Sequence, residues 1–206
     1  MPTFEPPVMT HTHVIRARNT TVYYPVVTEL SNTAAQKQIN QRILQAVHNL
    51  MQEQTIKQDS NDIQEMLGEY EIKSNERGLL SLTLSNYTFM TKHAHGLTLL
   101  QSLTFNIHNG HSYTLQELFK PGSNYVTVLS ELVAEQIKER QIPLLTPWKG
   151  IRPDQDYYIA DKALVIYFQQ YEITPSYFGT PMFPISVYSL SSILDENGPL
   201  GIMSAE

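Results

Sequence analysis

Residues 79–90, LLSLTLSNYTFM, carry the period of two that marks a half-buried strand: Leu80, Leu82 and Leu84 alternate with Ser81, Thr83 and Ser85. Successive side chains of a strand point to opposite faces, so this spelling buries one face and wets the other. Moving outward, 68–74 and 97–108 read as strands of the same kind. Asn109-Gly110 ends the third and is the strongest short signal for a type I′ turn, with His111-Ser112-Tyr113 as a short return strand. Upstream, 11–18 (HTHVIRAR) and 21–27 (TVYYPVV) are rich in β-branched and aromatic residues and flank Asn19-Thr20. Pro25 lacks a ladder donor, which assigns the second of these strands to an edge or places the proline at its end.

Two segments have the other period. After Asn32 or Thr33 as cap, Ile39, Ile43, Val47 and Leu50 recur at steps of three or four while Gln36, Gln38, Gln41 and Gln45 take other positions. One face of this helix is buried. Residues 56–65 are polar, a loop or a fraying end. A second helix starts after Pro121-Gly122 with Ser123 as cap, carries Val126, Leu129, Leu132, Val133 and Ile137 on one side, and stops at Pro143. Beyond a loop over 144–156, strands return at 157–160, 163–168 and near 183–188. Runs of strands broken by two long helices specify an α+β fold, a mainly antiparallel sheet packed with those helices in two layers.

Composition limits what such a fold does. The 206 residues have a net charge of −6, and the 14 Lys and Arg are scattered, which excludes the clustered cations of a nucleic-acid binder. Zero cysteines exclude disulfides, thiolate metal sites and cysteine nucleophiles. No stretch approaches the ~20 apolar residues of a membrane span. Residues 1–10, MPTFEPPVMT, have neither a basic nor an apolar region and are not a secretory signal as written, which leaves two addresses open: the cytoplasm by default, or an extracytoplasmic place reached with a leader since removed.

No Gly-x-Ser-x-Gly elbow, Gly-x-Gly-x-x-Gly fingerprint, Walker loop or His-Glu-x-x-His is present, and no cofactor is implied. His93-x-His95 with His108 and His111 suggests zinc, but no carboxylate of suitable spacing completes a ligand set. His11-x-His13 is weaker. Asp154-x-Asp156 reads as a polar loop before a strand. Glu172, between Tyr171 and Ile173, sits at the rim of a strand whose neighbours face the core. Residues 146–190 hold ten of the twenty aromatics on a stretch rich in proline and loops. Tyr158, Tyr167 and Phe168 belong to strands and hence to the core. Trp148, Pro175, Tyr177 and Phe178 remain as candidate recognition residues, since aromatics on stiffened loops offer contact area at little entropic cost. Two arrangements of Tyr177 are open, outward from the bend or folded beneath Pro181.

Several motifs resemble one bacterial family. Ala94-His95-Gly96 stands where that family has a Gly-Gly-Ala-His-Gly turn, and Tyr113–Lys120 (YTLQELFK) resembles its segment before a helix. Tyr157-Tyr158, Leu164 to Phe168, Tyr171-Glu172-Ile173-x-Pro175 and Gly179 resemble its C-terminal signature. Tyr24-Pro25 before a helix with Ile39-Asn40 is similar to the small domain that precedes it, which also occurs in a peptidoglycan deacetylase. The family is the RsiV-like one, domain of unknown function 3298. The resemblance implies a small N-terminal α+β subdomain at 1–78 and an RsiV-like domain at 79–206. It implies a setting outside the cytoplasmic membrane and recognition, not catalysis, of a lysozyme-like protein or a peptidoglycan fragment. His95 joins the candidate binding residues on this ground. The alternative is an accessory cell-wall hydrolase or deacetylase with a site near His95 or Glu172. Lys92-His93 replaces the paired glycines, and both residues tolerate positive φ less well than glycine, so a turn of altered shape is expected.

Overall fold

The computed structural model describes residues 7–204. It is α+β, with mostly antiparallel sheets and three helices, and it divides into two compact units that meet at Ser112 and Tyr113.

The first unit is a five-stranded sheet in the order β1-β2-β3-β4-β5 with one helix. Its elements are β1 (Met9–Ala17), β2 (Thr20–Thr28), α1 (Thr33–Lys57), β3 (Ile63–Glu76), β4 (Leu79–Met90) and β5 (Leu97–Asn106). All neighbours are antiparallel except β2 and β3, which run parallel over Thr20–Val22 against Met66–Gly68. A parallel pair needs a long crossover, and α1 supplies it. Gly68 is required at that pairing, because a Cβ there would lie 2.4 Å from Val22 Cγ1. The expected boundary at 78/79 falls on the turn between β3 and β4, two strands that pair from Ile63↔Met90 to Glu76↔Leu79. That long ladder keeps them in one unit, and the chain divides after Ser112 instead.

Asn32 caps α1, its side chain accepting from the amides of Ala34 and Ala35. Ile39, Ile43, Val47 and Leu50 are buried with Ala35 and Ala46, and they pack on Leu80, Leu82, Leu84 and Phe105 of the sheet. The helix runs two residues into the expected polar stretch at 56–65, β3 begins inside that stretch at Ile63, and the end of the helix buries Gln54 and its C-cap Gln58. Asn40 locks α1 to β2, its side chain accepting from Val27 N at 2.8 Å and donating to Val27 O at 2.8 Å. Pro25 is not on an edge strand, since β2 lies between β1 and β3. Ladder contact with β3 ends at Val22, however, so the missing proline donor breaks no bond on that side. At 109–110 only Gly110 has positive φ, so the turn is not type I′. Its return is a single bridge, Phe105↔Ser112, not a strand.

The second unit opens with a one-turn 3-10 helix, Gln116–Leu118, and holds α2 (Tyr125–Glu139), β6 (Tyr157–Ala160), β7 (Ala163–Tyr167), β8 (Met182–Ser186) and α3 (Pro199–Ser204). The three strands form an antiparallel sheet with β7 in the middle. Ser123 does not cap α2: Asn124 holds the cap position, with no side-chain hydrogen bond. Leu129, Val133 and Ile137 are buried together with Tyr125, while Val126 and Leu132 are only half-buried. The helix ends before Gln141, which turns the chain at φ +51° ahead of Pro143. Gln136 and Arg140 then tie it to β8 by donating to Pro184 O and Met182 O, and the Arg140 guanidinium lies 5.3 Å over the Phe183 ring. Among the described residues no helix is long and apolar enough to cross a membrane.

Candidate functional site

The aromatic-rich connection from β7 to β8 is built by a set of clamps at its start. Gln155, almost fully buried, donates its side-chain amide to Tyr167 O at 2.9 Å, and Tyr167 N donates to Asp156 O at 3.1 Å. Gln169 donates its side-chain amide to Asp156 Oδ2 at 3.1 Å. Its backbone N–H donates to Glu172 Oε2 at 2.7 Å, while Glu172 N donates back to Gln169 O. The other carboxylate oxygen of Glu172 meets the Arg152 guanidinium. Arg152 reaches Asp154 as well, at 3.5 Å.

Electrostatics follow from this crowding. Burial pushes the Asp156 carboxyl above the ordinary aspartate value. The Gln169 hydrogen bond and Arg152 oppose that rise, and the charges of Glu172 and Asp154 add to it. Arg152 is held above its ordinary value: burial acts to lower it, but the hydrogen bond and charge of Glu172, then Asp156 and Asp154, outweigh that. Glu172 is therefore a paired, hydrogen-bonded carboxylate. The expected strand around it is absent. Tyr171 turns at φ +68° and is exposed, so Tyr171 and Ile173 do not alternate with Glu172 on a pleat.

The tip follows. Leu145 N donates to Ile173 O at 2.9 Å, bracing the loop from the α2 side, and Thr174 is fully buried. Pro175, with φ −57° and ψ 155°, leads into one 3-10 turn, Ser176–Phe178, and Gly179 ends it at φ +73°. Phe178 N donates to Pro175 O and Gly179 N to Ser176 O. Tyr177 points outward, 79% exposed, and does not fold beneath Pro181. Pro175 and Phe178 are half-buried at its flanks.

Trp148 is half-buried on a different support. Its indole N–H donates to Ser130 O of α2 at 3.2 Å, and its ring meets Phe168 edge-on at 5.7 Å. Tyr158, Tyr167 and Phe168 are buried. His95 belongs to the first unit, exposed in the β4–β5 turn with Nδ1 3.2 Å from Gly96 O. In that turn Lys92 itself takes the left-handed conformation, at φ +68°, and His93 does not. Among the described residues no group of three or more His, Asp or Glu is gathered closely enough to hold a metal ion. Arg152, Gln155 and Gln169 had no signal in the sequence, since Glu172, Tyr167 and Asp156, the partners of their side chains across the loop, lie 12 to 20 residues away with no local pattern between.

Comparison with known proteins agrees with the division of the chain. Residues 16–98 match the family model for deacetylase PdaC, and residues 116–188 match that of a protein of unknown function, DUF3298. The chain thus carries a PdaC-like domain followed by a DUF3298 domain, as the motif resemblance implies. It is 30% identical over 184 residues to the anti-sigma-V factor RsiV of Bacillus subtilis (strain 168), a match covering 82% of this chain and 63% of that protein. The chain therefore spans less than two thirds of that relative's length. A DUF3298 family member from Bacteroides fragilis has the same fold, with TM-score 0.67 at 13% identity, covering 99% of this chain and 98% of that one. A second, from Pseudomonas aeruginosa PAO1, has TM-score 0.65 at 16% identity, covering 94% and 96%.

Proposed function

We propose that this chain, a PdaC-like domain joined to a DUF3298 domain, is a non-catalytic recognition module of cell-envelope type. Its loop from Thr174 to Gly179 is the surface offered to a partner, a lysozyme-like protein or a cell-wall glycan. The observation that carries this reading is Tyr177, 79% exposed at the tip of a loop whose base is clamped. A large aromatic left in water by folding offers apolar area that a partner can bury on contact. Pro175 restricts the tip before binding, so little conformational entropy remains to be lost on contact. Similarity to a protein named as an anti-sigma factor supports recognition over turnover.

The second reading is an accessory deacetylase or hydrolase with a site near His95 or Glu172, and the likeness of residues 16–98 to the deacetylase PdaC family supports it. Against it stands the geometry of Glu172, whose two carboxylate oxygens are both engaged within the protein, one by Arg152 and the other by Gln169 N.

Tyr177→Ala and Pro175→Ala test the loop, each assayed for melting and for binding to lysozyme and to peptidoglycan fragments. Lost binding with unchanged melting is the expected result. Wild type that binds neither ligand class sinks the reading. Acetate or reducing ends released from peptidoglycan by wild type and not by Glu172→Gln transfer the assignment to the enzyme.

A further inference from the structure

A groove of about 430 Å³ runs between α2 and the loop that carries Trp148 and Gly150. Its floor is formed by short side chains on one helix face, Thr127, Ser130 and Ala134, spaced three and four apart. The loop is fastened to that floor at two points. Ser130 Oγ accepts from Ile151 N at 3.0 Å and donates to Val126 O at 2.5 Å, and Ser130 O receives the Trp148 indole N–H. Gly150 permits the close approach, for at φ +97° a Cβ would sit 2.9 Å from Ser130 Oγ.

These bonds decide what the groove offers. The only polar atom of the Trp148 side chain is already used, so the indole presents ring carbons to it. Ser130 is likewise spent. Glu131 and Lys149, one acid and one base, supply the charged groups of the lining, and neither belongs to an ion pair among the described residues. An anion meets Glu131 and a cation meets Lys149, so neither is favoured. A neutral ligand with an apolar face and a rim of hydroxyls, which both donate and accept, suits an aromatic wall beside one acceptor and one donor.

We infer that this groove is a carbohydrate subsite that takes one neutral pyranose ring against Trp148. The inference goes beyond the Tyr177 loop, with which the groove shares no residue. Trp148 is the chain's single tryptophan, so its emission reports on this site alone. The whole chain is titrated with tri-N-acetylchitotriose and, separately, with cellotriose. A saturable change in tryptophan emission with at least one sugar is expected. Ala134→Phe, which fills the floor, and Glu131→Ala, which removes the rim acceptor, each weaken it about tenfold or more, and Gln45→Leu, at an exposed position of the first unit, leaves it unchanged. The assignment is overturned by no saturable change with either sugar, by wild-type affinity in both groove variants, or by loss of the signal in Gln45→Leu. Lysozyme binding in the same preparations is read separately, so the groove and the loop can fail independently.

Discussion

Gln54 continues the buried face of α1 four residues after Leu50 and is 0% exposed, although its polar side chain gives no reason to expect burial. Its amide donates to Asn86 O at 2.6 Å and Leu97 O at 3.1 Å, and its oxygen accepts from Gln58 at 2.9 Å. Gln54→Leu keeps roughly the same volume and removes all three bonds. Two carbonyls and the Gln58 amide then lack a partner, at about 1–3 kcal/mol for each group left wholly unsatisfied. Burying a leucine in place of an amide returns about 1.5–3 kcal/mol. Gln58 keeps a second acceptor, Thr88 O at 3.2 Å, which softens its share. The net expectation is a loss of about 2 kcal/mol, which at an m-value near 1–3 kcal/mol/M moves the urea midpoint by about 1 M. Far-UV circular dichroism is the assay, because α1 dominates the helical signal whereas Trp148 lies in the other unit. Gln45→Leu, on the exposed side of the same helix, is the control, with a change within about 0.5 kcal/mol. Equal midpoints for Gln54→Leu and Gln45→Leu would refute the view that this amide network fastens α1 to β4 and β5.

Ile43→Asp places an unpaired charge beneath α1 and should leave the first unit unfolded, while Gln41→Asp on the exposed face shifts stability by about 0.5 kcal/mol or less; equal thermal shifts overturn the assigned helix face. Asp156 has a folded value raised above its unfolded one, so the fold favours its protonated form. The stability linked to it is present below the ordinary aspartate range and is lost as pH rises through the raised value. Asp156→Asn should therefore gain on wild type as pH rises through that window, read by urea melts on Trp148 emission, and a difference independent of pH contradicts the burial of this carboxyl.

Much of this protein is written locally. The cap at Asn32 and the face Ile39–Ile43–Val47–Leu50 rest on neighbours within a turn, and each agrees with the structure. The alternation over 79–90 marks a strand as expected, but its polar face is not wet: Ser81 and Thr83 are buried, and Ser81 Oγ lies 3.0 Å from Thr104 Oγ1 of β5. Tyr158, Tyr167 and Phe168 as core follow from the same logic. Where the sequence misled, a distant partner or a backbone twist intervened. The loop at 171–173 has the alternation of a strand, yet Tyr171 turns to φ +68° because Glu172 is drawn to Gln169 and Arg152. Pro25 marks an edge by its own chemistry, but the parallel pairing of β2 with β3, which only the α1 crossover brings about, puts that strand inside the sheet.

The sequence by itself determined most of the long helices and strands and the apolar face of α1, because those properties repeat at periods short enough to be read along the chain. Only the tertiary structure decided that the chain divides after Ser112, that Gln54 is a core residue, and that Tyr177 stands in water on a clamped loop. Those outcomes depend on groups 12 to 43 residues apart meeting at hydrogen-bond distance, and such meetings leave no periodic trace in the residues between them.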